Sequence, residues 1–230
     1  VLELAAGLGE TGFEAAAAVT ERGRLITTDF SPAMVDAARR RGAELGVKNV
    51  KYEVMDAERI DLDADSVDGV LCRFGYMLMA DPAAALAETR RVLRPGGRLT
   101  LAVWGAPEHN PFFGIIGLSL GQRGHIPPLE PPPAPGVFSM AGAERTTALL
   151  EGAGFSEVRT EQVPVRFVLP DVDEYLSMIA DTAGPVALAL RGLPDAERSA
   201  VKTDVEDSFP RFAAEEGYEL PGVTLCVVAS

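Results

Sequence analysis

Cysteine, histidine and tryptophan are scarce in this 230-residue chain, which has two, two and one of them. Both cysteines, Cys72 and Cys226, sit inside apolar strand-like runs (VLC and LCVV). Two thiols so placed give neither a disulfide framework nor metal-ligand spacing, so no metal is expected and each reads as a small buried hydrophobe. Their usage fits a reducing, cytoplasmic setting. No CxxC, HExxH or GKS/GKT run is present. Positive charge is also in deficit, with 21 Lys and Arg against 34 Asp and Glu, a formal charge of −13. A phosphate backbone would repel such a chain, and it holds no long Lys/Arg run, so nucleic acid is a poor partner and a small molecule a better one. No apolar run is long enough and uninterrupted enough to span a bilayer, so no membrane partner is expected either. An initiator methionine is lacking too. Val1 opens inside an apolar strand, and a missing N-terminal segment is expected. Nothing in the sequence sets an oligomeric state.

What is present is an alternation of short apolar runs with helical segments over the first hundred residues, the pattern of a parallel sheet covered on both faces. Strands are expected at 1–5, 24–28, 50–55, 67–73 and 98–104. Helices are expected from about Thr11 to Arg22, from Ser31 as N-cap with Pro32 to Gly46, and from Asp81 as N-cap with Pro82 to Pro95. In the second helix Met34, Ala38 and Leu45 are expected to share the buried face. Residues 105–140 are rich in Gly and Pro, and six of the nine positions 127–135 are proline. They read as an extended or irregular connection. A helix at 141–153, a strand at 155–169, two or three helices over 171–219 starting at Asp171, and a last strand at 223–229 complete the chain. The fold class is α/β: a Rossmann-like doubly wound sheet, mostly parallel with an antiparallel last strand, plus helical or irregular cover insertions at 105–140 and 171–219. One domain over 1–230, with no second core, is expected.

The turn Gly7-Leu8-Gly9-Glu10-Thr11-Gly12 matches G-x-G-x-x-G, whose missing side chains let a ligand approach the backbone ahead of a helix N-terminus. Alone it also describes nicotinamide and flavin dehydrogenases. Three carboxylates qualify it. Glu3, inside strand one, is unhelpful to a pyrophosphate and tolerable to an amino-acid-bearing cation. Asp29 ends strand two, where a carboxylate can accept both hydroxyls of a ribose. Asp56 ends strand three, placed to accept from an exocyclic amine of adenine. Each has a plainer alternative: Glu3 satisfied by turn amides, Asp29 capping helix two, Asp56 as a turn residue. Arg73 is as well suited to a surface ion pair as to an anionic ligand.

The runs VLELAAGLGETG, ITTDFSPAMVDAAR, VMDAERIDLDADSVDGVLCRF and RRVLRPGGRL resemble, in order, the motifs of class I S-adenosylmethionine-dependent methyltransferases, in the branch similar to ubiquinone/menaquinone C-methyltransferases. The resemblance covers residues 1–104 strongly and the GAGF turn at 152–155 weakly. It implies S-adenosyl-L-methionine as cofactor. Ala5, Gly7 and Gly9 would line its methionine part, and Glu3 would orient that loop or reach the ammonium through water. Asp29 would bind the ribose, with Phe30 and Met34 packing near the adenine, and Asp56 with the Ala57 amide would read the adenine edge. The Cys72 or Arg73 carbonyl would accept from the ammonium. Ala5 stands where the family often has glycine, so the loop is expected to sit slightly differently. The implied activity is methyl transfer to O or C of a small-molecule acceptor. His109, soon after strand five, is the candidate base, with His125 the other histidine, and Arg73 and Tyr76 are expected in the acceptor pocket. The alternatives are a non-catalytic S-adenosylmethionine-binding module and an NAD(P)-dependent oxidoreductase, the latter resting only on the glycine loop and Asp29.

Overall fold

A computed structural model of the chain describes residues 1–19, 23–127, 136–182 and 184–230. Seven strands form one sheet in the order β3-β2-β1-β4-β5-β7-β6. They are β1 (Leu2–Glu3), β2 (Leu25–Asp29), β3 (Val50–Val54), β4 (Val67–Arg73), β5 (Leu93–Trp104), β6 (Arg159–Leu169) and β7 (Tyr218–Ala229). The pairs β1–β2, β1–β4, β2–β3 and β4–β5 are parallel, and β7 runs antiparallel to β5. The chain reverses its direction of winding between β1 and β4, so the crevice beyond the C-terminal ends of those strands is where an open α/β sheet takes its ligand.

Helices α1 (Glu10–Ala18), α2 (Pro32–Glu44) and α3 (Pro82–Val92) connect the parallel strands. Their starts are chemically marked. Pro32 and Pro82 each open a helix with φ already fixed and no amide to lose. The Asp81 carboxylate accepts from the Ala84 amide at 3.0 Å. The first helix begins at Glu10, behind Gly9 as a left-handed N-cap and one residue earlier than expected, and ends at Ala18 rather than Arg22. Residues 20–22 lie outside the described part. In α2 the buried stripe is Val35, Ala38 and Gly42, whereas Met34 and Leu45 face outward, contrary to expectation. The cause is Tyr52, whose hydroxyl would stand 1.9 Å from a Cβ on Gly42, so the helix seats its glycine edge on β3.

Contacts divide the chain into two units, 1–104 with 132–163 and 224–230, and 105–131 with 164–223. Each has its own apolar cluster, so the single core expected from the sequence is replaced by two. The first unit is centred on Leu2, Leu4, Val70, Leu86, Leu99 and Leu101. In the second, Phe112, Ile116, Leu120, Tyr175, Val201 and Phe209 pack together. The second cluster depends on a helix that the sequence reading missed, α4 (Pro111–Gln122). The rest of the proline-rich stretch, residues 128–135, lies outside the described part. α5 (Ala143–Gly152) belongs to the first unit, and α6 (Val172–Thr182), α7 (Gly184–Gly192) and α8 (Asp195–Ser208) to the second. Asp171 caps α6 as expected, accepting from the Glu174 amide at 2.8 Å. No helix of the described residues is long and apolar enough to cross a membrane.

Candidate functional site

The glycine turn leaves β1 through two left-handed glycines, Gly7 at φ +56° and Gly9 at φ +81°. Only glycine takes such angles without steric cost. A Cβ on Gly9 would strike the Phe13 ring at 2.7 Å, whereas around Gly7 there is nothing within 4 Å. Backbone at Gly7 therefore faces open space, as a ligand-cradling loop requires. Ala5 has φ +51°, so the chain places an L-residue in the left-handed region where its resembled family often has glycine. An alanine at that angle carries local backbone strain.

Glu3 is 2% exposed. Its carboxylate accepts from the Thr27 hydroxyl at 3.0 Å and from the Gly12 amide in the first turn of α1. Burial pushes its pKa up, and those two donors pull the other way. The plainer of its two readings, a buried carboxylate held by turn amides, describes this geometry. Its charge lies under the N-terminus of α1, where the helix dipole favours an anion.

Asp29 ties three strand ends together. Its Oδ2 accepts from the Gly7 amide and its Oδ1 from the Ser31 amide, both at 2.9 Å, and its carbonyl accepts from Met55 at 3.0 Å. Each carboxylate oxygen has two lone pairs, so capacity remains for hydroxyl donors. Next to it Phe30 is 75% exposed, an unusual place for a bare aromatic ring, and Met34 is also exposed one turn into α2. At the end of β3, Asp56 accepts from the Glu58 amide at 2.9 Å and is exposed, while the Ala57 side chain enters the core. Glycine loop, Asp29, Phe30, Met34 and Asp56 thus share the C-terminal rim of β1, β2 and β3.

At the end of β4 the Cys72 side chain is buried, and burial pushes its thiol up to about 12 against the opposing Tyr76 and Gly75 amides. The Arg73 guanidinium pairs with Glu10 at 2.9 Å, and Glu10 also meets Arg41 at 3.1 Å. Of the two readings for Arg73, the ion pair is the one observed. Hydrogen bonds from Arg41 first and Arg73 second hold the Glu10 carboxyl below the usual range. Tyr76 is no pocket residue. It is fully buried, with its hydroxyl 2.6 Å from Thr89 Oγ1, and Thr89 donates to the Ala85 carbonyl, so Tyr76 must be the donor of the pair.

His109 ends an exposed 3-10 turn (Pro107–His109) in the second unit, whereas every cofactor candidate lies in the first. His125 is 3.1 Å from Glu197. A cavity of about 870 Å³ also belongs to the second unit and is lined by apolar groups such as Pro111, Leu118 and Phe212 with Arg211 at its wall. None of the predicted site residues lines it, and it lacks the acidic rim described above. Among the described residues no cluster of His, Cys, Asp and Glu could hold a metal ion. Sequence reasoning missed Glu10, whose carboxylate meets both Arg73 and Arg41, and the signal was an acidic residue inside the glycine motif.

Residues 1–97 match the family model described as a methyltransferase domain. Aklanonic acid methyltransferase DauC of Streptomyces sp. strain C5 is 32% identical over 171 residues, 69% of this chain and 76% of that protein. A demethylmenaquinone methyltransferase of Clavibacter sepedonicus is 36% identical over 107 residues, 46% of this chain and 42% of that protein. The YcgJ protein of Bacillus subtilis superposes with a TM-score of 0.64 at 20% identity, covering 99% of this chain and 89% of that one. The chain belongs to the class I S-adenosylmethionine-dependent methyltransferases. Its match spans less than half the length of the demethylmenaquinone methyltransferase, and most of DauC.

Proposed function

We propose that this chain binds S-adenosyl-L-methionine and transfers its methyl group to an oxygen or carbon of a small-molecule acceptor. The observation that carries this reading is the shared rim of Gly7, Asp29, Phe30 and Asp56, set on a chain of this family. The residues present fit the cofactor. Open space over a left-handed glycine suits close approach of an amino-acid tail, and two acidic residues share the rim with an exposed aromatic ring of the kind that packs on adenine. When bound, the sulfonium supplies an already activated methyl group. What the protein must add is alignment and exclusion of water. Orientation alone is worth about 7–11 kcal/mol in the best model systems.

In this reading Asp29 holds the ribose and the loop together, Phe30 and Met34 cover the adenine, and Asp56 with the Ala57 amide reads its edge. The Cys72 or Arg73 carbonyl receives the ammonium, and Glu3 acts indirectly by fixing α1 beneath the glycine loop. His109 is the candidate base for a hydroxyl or acidic-carbon acceptor, where a base adds about 10²–10⁴-fold. DauC is named for methylation of an acid, and the other relative for a quinone precursor, which supports a small organic acceptor. The net charge of −13 argues against nucleic acid. Two free cysteines suit a cytoplasmic location.

Calorimetric titration with S-adenosylhomocysteine tests the cofactor. Binding is expected, and Phe30→Ala and Asp56→Ala should each weaken it about ten- to hundredfold. Absence of binding to the parent would refute the reading. Labelled methyl donor with a panel of phenols, quinones and small acids tests transfer. Unchanged turnover of His109→Ala at saturating acceptor would remove His109 as base.

A further inference from the structure

The cavity of about 870 Å³ in the second unit runs along one face of α4, where Gly114, Gly117, Leu118 and Gly121 line it. The helix carries no charged residue along its length. An added Cβ on Gly114 or Gly121 would find nothing within 4 Å, so the floor of the cavity there is bare backbone. Leu118 is 61% exposed on the same face. When two helices pack in parallel and in register, a side chain enters a hole made by four residues of the facing helix. For Leu118 those four are its own counterpart and the residues four before, one before and three after it. They are Gly114, Gly117, Leu118 and Gly121. Knob and hole therefore lie on one helix.

The cavity wall also carries one charge of each sign, Glu108 and Arg211, both exposed. Elsewhere in this unit Arg123, Arg166 and Lys202 meet carboxylates, and Arg191 and Arg198 meet backbone carbonyls. Among the described residues Arg211 has neither, its guanidinium carbon lying 4.8 Å from the Phe212 ring centre, and the Glu108 side chain has no partner. Both charges lie toward the start of α4. Glu108 precedes it, and α8 runs antiparallel to it, with Ala200 against Arg123 and Asp204 against Ser119, so the chain reaches Arg211 near the same end. A cavity kept for a small anion would not set a carboxylate in its wall, nor one kept for a cation a guanidinium. A second copy of this chain suits both, since a two-fold interface brings residue i to j and j to i. We propose that two copies of the chain associate through α4, parallel and in register. Leu118 of each copy enters the glycine-floored hole of the other, and Glu108 of each pairs with Arg211 of the other.

Sedimentation equilibrium from about 1 to about 200 µM, in about 0.15 M salt to screen the net charge, should show a reversible monomer–dimer balance. Leu118→Glu removes the knob and Gly121→Leu fills the hole, and each should weaken the dimer about tenfold or more. Thermal unfolding certifies that both fold. Glu108→Arg and Arg211→Glu should each weaken self-association about tenfold or more, yet an equimolar mixture of the two should form mixed dimers about as tightly as the parent. In that mixture every contact again joins opposite charges. A parent that stays monomeric at the highest concentration, as a small-molecule cavity or a different protein partner predicts, would overturn the proposal. So would a dimer that survives both helix variants, or charge reversals that fail to complement one another. The mixing experiment decides the matter even if a helix variant misfolds.

Discussion

Gly12→Ala should destabilise the protein although helix propensity alone says the opposite. Gly12 lies inside α1, and in an open helix position alanine is worth about 1 kcal/mol more than glycine. Space forbids it. The added Cβ would stand 2.0 Å from Glu3 Oε2, 2.7 Å from its Cδ and 2.9 Å from Leu25 Cδ2, against an ordinary contact of 3.4 Å or more. Neither neighbour can swing into solvent, since Glu3 is 2% exposed and Leu25 fully buried. Relief means moving α1 off β1 by about an ångström, an overpacking cost of about 1–3 kcal/mol. The same movement breaks the hydrogen bond from the Gly12 amide to the Glu3 carboxylate, and a buried acceptor left short of a donor costs about 1–3 kcal/mol more. After the propensity gain, a net loss of about 1–5 kcal/mol is expected from the sum of these ranges. Urea denaturation at neutral pH measures it, and the Glu3→Asp background, which shortens the acid by one methylene, should recover part of the loss. A Gly12→Ala protein as stable as the parent, or more so, would refute the packing of Glu3 beneath the helix.

Three further outcomes follow from the charges and the backbone. Burial raises the Glu3 pKa in the folded state, so its contribution is most favourable below the unfolded value of 4.5 and falls as pH rises through the folded one. The stability of the parent relative to Glu3→Gln should therefore decline from pH 4 to pH 7 in urea titrations, and an increase would contradict the sign. Asp204 runs the other way: hydrogen bonds from Arg123 first and Ser119 second hold its pKa at about 2. The stability it lends is present above the unfolded value of 3.8 and is lost as pH falls through about 2, so Asp204→Asn should flatten that part of the acid-unfolding curve. Ala5→Gly should relieve the φ of +51° and raise stability by up to about 1 kcal/mol in thermal unfolding, and a lowered melting temperature would show the strain to be absent.

Much of the site was legible because its elements announce themselves chemically. Ser31-Pro32 and Asp81-Pro82 fix the starts of α2 and α3, and short β-branched runs bounded by Gly or Asp fix the parallel strands, so the acidic residues at their ends could be placed on one rim. What was not legible has physical causes. The helix α4 carries glycines at 114, 117 and 121, which depress propensity, and its apolar residues lack a clear stripe, so tertiary burial rather than local preference makes it helical. Its start was nonetheless marked by Asn110-Pro111, the same grammar as the other helices. Asn110 is fully buried and fastens the turn by exchanging hydrogen bonds with the Val223 backbone, a long-range partner that no local pattern reveals. Tyr76 was misread for the complementary reason. Proximity to a strand end says nothing of which way a side chain turns, and this one turns inward to Thr89.

Asp29 shows why assigning one role per residue fails at such a rim. The sequence offers ribose binding or helix capping as alternatives, yet the carboxylate holds the Gly7 and Ser31 amides simultaneously and leaves lone pairs over. Capping in the usual sense is not what it does, because the amide it takes at α2 is that of the N-cap residue itself rather than one of the next turn. The loop that must meet the cofactor and the helix whose first turn carries Met34 are therefore registered against one another by the group expected to touch the ribose. Removing that group would dismantle the loop and the contact together, so affinity lost in Asp29→Ala says little about contact by itself. Phe30 and Asp56 are the cleaner probes. The first is exposed and the second accepts only a local turn amide, so neither anchors the glycine loop, and an effect of either on cofactor affinity at unchanged stability reports on binding alone.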